Sequence, residues 1–478
     1  MTERRIVIVG GGITGLAAAH AALARARELG TDVAVTVLER SPRFGGNLVT
    51  EQVDGFLLDG GPDSWVASKP EASALARDLG LGPELIGTNE ATRRYYIERG
   101  GRLHAVPEGF ILGVPTRLLP VVRTGLFSWR GKLRMAIEPF VPARHFQADD
   151  DESIADFCKR RLGSEATERL VAPLLAGITS GDASEASMCA TFPQMVAMER
   201  EYGSLVRGMW ALARRRKKGE SSSAFVSLRG GTGALVGALV ERLRTDGVAM
   251  RAGAGARSVA REGAGWTVHL DSGGAITADA LLLAVPAPVA SRLLVALDGD
   301  LARGLASIPY GSSATVFLAY RRSDVAHPLD GVGFLVPRAP GRAIRAGTWV
   351  SSKCHGRAPE GHVLLRAFLA GDSLALDDAG LAALARRELG VLMNLEAEPL
   401  WSRVFRFEEA RAQMRVGHLA KVRAIRERLA TAASGLRFAA GGFDGDSIPD
   451  SVRQGQEAGR AMVEGELSAY PGRNLAEN

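Results

Sequence analysis

The apolar run Ile6-Val7-Ile8-Val9 leads into Gly10-Gly11-Gly12 and then into an alanine-rich stretch, which predicts a buried strand, a tight turn and a helix. A second run, Val33 to Leu38, ends at Glu39 and predicts another buried strand. Residues 56–65 read as a strand feeding a Gly60-Gly61-Pro62 turn, and 71–80 as a helix with Leu75 and Leu79 on one face. Short strands are expected at 93–97 and 103–106, around Gly100-Gly101. Helices are expected near 151–163, 165–176, 193–213 and 234–245. Residues 248–283 alternate like a small sheet, ending in the buried run Ala280 to Ala284. Longer strands at 314–320, 332–336 and 363–369 suggest an antiparallel sheet closed by a helix at 377–393. Residues 437–450 repeat the strand, glycine turn and helix order, with the helix running to Leu467.

The first of these units carries chemistry. Gly10, Gly12 and Gly15 form a GxGxxG pattern, with Gly11, Ile13 and Thr14 between them. In a dinucleotide fold the first glycine permits the turn and the second lets backbone approach a pyrophosphate. The third lets helix and strand pack closely. A secretory leader is the rival reading of Arg4-Arg5 and the apolar run. Two features favour the dinucleotide fold. Glu39 lies 24 residues beyond Gly15, where a carboxylate meets a ribose 2′-hydroxyl. It is followed by Arg43, Gly45, Gly46 and Asn47, the E-x3-R-x-G-G run that accompanies FAD in this unit. Gly61, Pro62, Asp63 and Ser64 are expected against the same cofactor. So are Gly442, Asp446, Ser447 and Ile448, where a helix N-terminus would face the pyrimidine edge of a flavin.

The fold expected is α/β: a discontinuous Rossmann-like FAD-binding domain (1–75 with 224–289 and 432–470), a mainly helical insert (76–213), an antiparallel-sheet substrate-binding domain (290–431) and a loop (214–223). The insert changes character between Phe110 and Phe146, where apolar and aromatic residues alternate with Arg117, Arg123, Arg130, Lys132 and Arg134. That pattern fits a membrane surface and burial in a helical domain equally well.

Composition narrows the class. The 478 residues are 46% hydrophobic and 23% charged, as in ordinary globular proteins, and the net charge of +6 suits an anionic ligand or surface. Three scattered cysteines suggest no metal site and fit a reducing cytoplasm. The basic run 214–218 reads as a solvated loop, since no nucleic-acid-binding module accompanies it. No run is long enough to span a bilayer.

Further motifs carry a resemblance: Gly61 to Pro70, Ala176 to Asp182, Thr191 to Met195, Met198 to Leu205, Gly331 to Pro337, Arg357 to Pro359 and Gln413 to His418. With them the chain resembles oxygen-dependent protoporphyrinogen oxidases nearly end to end. That resemblance implies non-covalent FAD, an amine-oxidase-like fold, a tetrapyrrole substrate and O2 as acceptor. It implies a place in the cytoplasm or peripherally on the cytoplasmic face of a bacterial membrane. It also implies that Arg94 holds a propionate, with Arg93 as the register alternative, and that Gly333 and Leu335 border flavin and substrate. No side chain is implied as general base.

Departures from the pattern are Cys354 in place of a stacking aromatic, Ala256 in place of a valine at the adenine, Ala412 and Met414 beside Gln413, and Phe443, Asp446, Ser447 and Ser451 near the flavin. Coproporphyrinogen III, another hydrophobic or amine substrate, and a non-catalytic flavin carrier stand as alternatives to protoporphyrinogen IX. The sequence leaves the oligomeric state open, a homodimer included.

Overall fold

The computed structural model describes residues 3–92, 94–111, 113–144, 150–179, 181–215, 223–337, 342–433 and 435–465. The first strand, Arg4–Val9, lies at the centre of a five-stranded parallel sheet. Val33–Glu39 and then Ala249–Ala252 stand on one side of it, and Ala280–Leu283 and then Leu436–Phe438 on the other. Strand order therefore reverses at the carboxyl end of Arg4–Val9, the place where open α/β sheets bind ligands.

The run Ile6 to Val9 is apolar throughout because both faces of the strand are covered. Ile6 and Ile8 pack toward the helices Ile13–Leu29 and Ile448–Glu464, while Val7 and Val9 pack toward the opposite cluster. The two helices lie side by side through glycine. A Cβ added to Gly455 would sit 2.2 Å from the carbonyl oxygen of Thr14, and one on Gly459 2.2 Å from that of Ala18. The register 14 to 455 and 18 to 459 makes the pair parallel.

The second sheet has seven strands in the order Trp401–Ala412, Tyr310–Arg321, His362–Leu369, Ile344–Trp349, Gly331–Leu335, Arg94–Arg99 and Arg102–Ala105. It is antiparallel except where Gly331–Leu335 runs parallel to Arg94–Arg99. Two expected boundaries change here. Strands 94–105, assigned to the helical insert, complete this sheet. At the other end, helices Ala287–Leu294, Gly299–Ala306 and His418–Ala432, which fall mostly within the expected substrate domain 290–431, cover the second face of the parallel sheet. Residues 248–283 also divide: 249–252 and 280–283 join the parallel sheet, and 256–278 form a three-stranded antiparallel meander.

The helical region has its own apolar core around Phe157, Leu170, Met188 and Met195. Its expected helix 193–213 is two helices, Pro193–Tyr202 and Leu205–Arg215, broken where Gly203 takes a left-handed φ of +66°. The Met198-to-Leu205 run has a structural reason. Glu138, Arg161 and Glu199 are fully buried, with Arg161 bridging the two carboxylates. Glu138 also accepts from Ser204 Oγ (2.5 Å) and from the backbone N–H of Leu205 (2.9 Å), which caps the second helix. Most of the loop expected at 214–223 lies outside the described residues, as does the end of the last helix expected to reach Leu467.

Replacing Gly459 with valine forces a branched side chain against the Ala18 carbonyl. Overpacking of this kind costs about 1–3 kcal/mol, so Gly459→Val should lower the unfolding free energy by that amount, read as a lower urea midpoint. An unchanged midpoint would show that the helices separate freely.

Candidate active site

The turn after the first strand is shaped for close approach at one place only. Gly10 adopts a φ of +111°, and a Cβ there would lie 2.2 Å from the Ala284 carbonyl oxygen. A Cβ on Gly15 would lie 1.9 Å from the Gly10 carbonyl oxygen. At Gly12 the nearest atom is 3.9 Å away, the Cα of Gly46. The helix beginning at Ile13 has no side-chain cap and no acid in its first turn. Its N–H groups, Ile13 and Thr14 included, open onto the space beside Gly12. Such a cradle suits a diphosphate, which would sit against backbone and the positive end of the helix.

Glu39 marks the far end of the cradle. One oxygen accepts from the Gly11 N–H and the other from the Ser41 N–H, each at 2.8 Å. The Ala254 N–H donates to the Glu39 carbonyl, which brings the half-buried Ala256 strand to the same edge. The Gly45 N–H donates to Gly11 O at 2.7 Å, and Arg43 donates to Gly46 O at 2.7 Å. The Arg43-to-Asn47 loop is thereby folded over the turn, and these residues fit a dinucleotide.

Gly61 closes on this loop, since a Cβ there would lie 1.9 Å from the Asn47 carbonyl oxygen. The turn is held by buried charge from the other sheet. Asp59 pairs with Arg357 at 3.3 Å, and Pro62 O accepts from Thr232 Oγ1. Asp63 accepts from Lys353 Nζ at 2.6 Å and from Ser64 Oγ at 2.8 Å, and it lies 3.8 Å from Arg366. Burial alone would raise the Asp63 carboxyl. The Lys353 ammonium and Arg366 guanidinium outweigh it and hold the group well below the usual carboxylate range. Arg366 donates to the carbonyls of Gly60 and Gly61, at 3.0 and 2.6 Å.

Between the sheets and the helical region lies a cavity of about 2110 Å³. Tyr95, Leu335 and Phe368 line it from the seven-stranded sheet, and Phe192 and Met198 from the helices. Gly442, Asp446 and Ser447 line it from the last glycine turn. Ser447 caps the helix Ile448–Glu464 in a reciprocal box with Asp450, which also receives Lys69 Nζ at 2.6 Å. Arg411 Nε donates to Asp446 Oδ2 at 2.9 Å. Among the described residues six cationic side chains line the cavity (Lys69, Arg345, Arg411, Arg415, Arg423 and Arg426), together with seven carboxylates, four of which pair with them: Asp450, Asp446, Glu185 and Asp444. Its volume exceeds the roughly 300–1,000 Å³ of a single-ligand pocket, and it has room for a flavin ring and a second large ring together.

The expected substrate residues are only partly gathered here. Leu335 lines the cavity, and Gly333 precedes it on the same strand. The absence of a side chain at Gly333 answers to packing, because a Cβ would lie 2.1 Å from the Gly347 carbonyl oxygen. Arg94 is turned away. Side chains alternate along a strand, so with Tyr95 in the cavity, Arg94 and Tyr96 point to the other face and share Asp330 at 3.0 and 2.7 Å. Arg93 lies outside the described residues. Cys354 is 3% exposed and does not line the cavity, and burial pushes its thiol upward. Ile448 and Ile13 belong to the apolar core beneath the helix starts.

Sequence reasoning did not single out the ion pairs Arg411–Asp446 and Lys69–Asp450, or the anchors Lys353 and Arg366. Arg366 interrupts the apolar run Val363 to Leu369, which is a legible sign of a buried, paired cation.

Comparison with known proteins agrees with this geometry. The family described as flavin containing amine oxidoreductase matches residues 13–463. The coproporphyrinogen III oxidase of Bacillus subtilis (strain 168) is 35% identical over 465 residues, covering 95% of this chain and 97% of its own. That of Propionibacterium freudenreichii is 32% identical, covering 98% and 92%. Protoporphyrinogen oxidase 1 of Arabidopsis thaliana, a chloroplast protein, is 28% identical over 95% of this chain and 85% of its own. A crystal structure from Exiguobacterium sp. 255-15, provisionally named a protoporphyrinogen oxidase, superposes with a TM-score of 0.86 at 31% identity, covering 98% and 100%. A putrescine oxidase structure at 19% identity and a TM-score of 0.65 shares the fold. The chain belongs to the flavin-containing amine oxidoreductases, among the porphyrinogen oxidases.

Proposed function

We propose that this chain oxidises coproporphyrinogen III to coproporphyrin III, with non-covalent FAD as the immediate oxidant and O2 as the final one. The observation that supports this reading most is a cavity large enough for a tetrapyrrole, with Arg345 and Arg423 on its wall. Coproporphyrinogen III carries four carboxylates, and guanidinium groups bind such groups bidentately. Relatives at 35% and 32% identity carry that activity in their names. Protoporphyrinogen IX, with two carboxylates and the first choice from the sequence, is the second reading. The Arabidopsis relative favours it, at lower identity.

FAD, when bound, supplies hydride acceptance at N5 and electron transfer to O2. The chain's own residues bind and orient. Gly12 and the start of the helix at Ile13 would hold the diphosphate, and Glu39 the ribose. Leu335 and Phe368 would press the macrocycle toward the flavin. Arg345 and Arg423 would take carboxylates, the role expected of Arg94, which here pairs with Asp330 on the other face of its strand. Catalysis of this kind works largely by positioning.

The helical region also offers a membrane-facing surface. Trp129 is 71% exposed, Leu133 67% and Phe140 80%. The first two, four residues apart, share one helix face. Exposed Leu119 and Val122 lie nearby in sequence, and Arg117, Arg123, Arg130 and Lys132 are interspersed. Aromatic and cationic residues around an apolar patch suit the surface of an anionic bilayer. Among the described residues no helix is long and apolar enough to cross a membrane.

Three outcomes are expected. In a side-by-side assay of porphyrin fluorescence, coproporphyrinogen III should give the higher kcat/KM. Arg423→Met should raise KM for it about 10- to 150-fold, the loss of one charge-assisted hydrogen bond of ~1.5–3 kcal/mol; equal or reversed preference between the two porphyrinogens refutes the substrate. Acid precipitation should leave all the flavin in the supernatant, and flavin in the pellet would disprove non-covalent binding. Phosphatidylserine-containing vesicles should sediment the protein, while pure phosphatidylcholine vesicles should not. Replacing Trp129 and Phe140 with serine should abolish sedimentation, and persistence would place the contact elsewhere.

A further inference from the structure

The parallel helix pair fixes where the two helix starts stand along the cofactor. Gly455 is the eighth residue of its helix, and it packs on Thr14, the second residue of the other. The last helix therefore begins about 9 Å beyond the first, six residues at 1.5 Å each. A dinucleotide with its diphosphate at Gly12 and its ribose at Glu39 would extend its other end, the reacting ring, toward the cavity at Asp446 and Ser447. Asp446 stands there as a half-buried carboxylate in a pair with Arg411.

We propose that Asp446 binds one proton each time the flavin takes up an electron pair, and releases it when that pair passes to O2. This rests on the oxidase reading above. Each two-electron step removes a C–H hydride and an N–H proton from the substrate. The hydride carries two electrons and one proton. With the proton held at Asp446, the sum is the two electrons and two protons that convert O2 to H2O2.

The surroundings favour a carboxyl that changes state. Burial raises it, Arg411 opposes that rise, and Asp450 adds to it. Asp450 is itself tied to Lys69 and Ser447. Across the turn, the Tyr310 hydroxyl donates to Gly441 O, His418 Nε2 bonds Gly442 O, and Arg426 pairs with Asp444. Each of these carboxylates has a cation partner, and Asp446 differs in that its pair with Arg411 joins the last glycine turn to the strand Trp401–Ala412 across the cavity wall. Negative charge arriving beside Asp446 raises its proton affinity further. Between its two proton affinities, reduction takes up one extra proton, so the flavin potential falls more steeply with pH.

The test is the flavin midpoint potential, followed spectroelectrochemically from mildly acid to mildly alkaline pH. Wild type should show a window in which the slope exceeds that of Asp446→Asn by about 30 mV per pH unit, one proton per electron pair. Above that window Asp446→Asn should have the higher potential, because it lacks the repelling charge. Asp446→Glu should restore the slope, and Arg411→Gln should move the window to higher pH. The last variant reads the same carboxyl even if Asp446→Asn loses flavin. Parallel slopes in wild type and Asp446→Asn, or an unmoved window in Arg411→Gln, overturn the proposal. The titration uses a chemical reductant, so it stands or falls apart from the choice of porphyrinogen.

Discussion

The seam between the two sheets is closed by charges taken out of water. Asp59 and Asp63 come from the nucleotide side, and Arg357, Lys353 and Arg366 come from the seven-stranded sheet or the residues beside it. Removing one partner of such a buried pair strands the other, at about 3–5 kcal/mol, so neither sheet can shift without the other. Arg366 also grips the Gly60 and Gly61 carbonyls, and Thr315 Oγ1 donates to Gly60 O at 2.8 Å. The Gly-Gly-Pro turn is thus set by the opposite sheet. Around it Phe56, Leu58, Phe317 and Phe405 fill the seam. The cradle at Gly12 and the wall at Leu335 keep one mutual position because of this clamp.

The nucleotide half was written locally and could be read locally. Gly10, Gly15 and Glu39 act within one strand–turn–helix unit, and the structure gives each a steric or hydrogen-bonding reason within that unit or its neighbour. Helices 71–78, 233–245 and 378–393 were likewise legible from spacing and stop signals. The substrate half was not. Whether Arg94 or Tyr95 enters the cavity depends on a one-residue register between Arg94–Arg99 and its neighbour Gly331–Leu335, strands more than two hundred residues apart in the chain. Similarly, 94–105 looked like part of a helical insert because nothing local announces a distant parallel partner. The helical resemblance run at 198–205 was visible as a pattern, but its cause, the buried Glu138–Arg161–Glu199 group, joins three separate segments.

The same contrast separates scaffold from substrate choice. The cradle at Gly10 to Gly15 is built of backbone groups and glycines, with no room for a side chain at Gly10 or Gly15. The cavity wall is made of side chains from both sheets and the helices, each replaceable alone. A fold shared at 19% identity with a putrescine oxidase structure and a wall rich in arginine are compatible for that reason.

The helix pair has a consequence for how the molecule comes into being. Arg4 donates to the Val463 carbonyl across 459 residues of sequence, and Gly455 and Gly459 lie on the first helix. The helix pair beside the glycine turn is therefore incomplete until residues 448–463 have left the ribosome. At about 5–20 residues per second, the first βαβ unit waits tens of seconds for its last neighbour. During that interval its apolar helix face, the stretch around Thr14 and Ala18, lacks the cover that Gly455 and Gly459 give it in the folded chain.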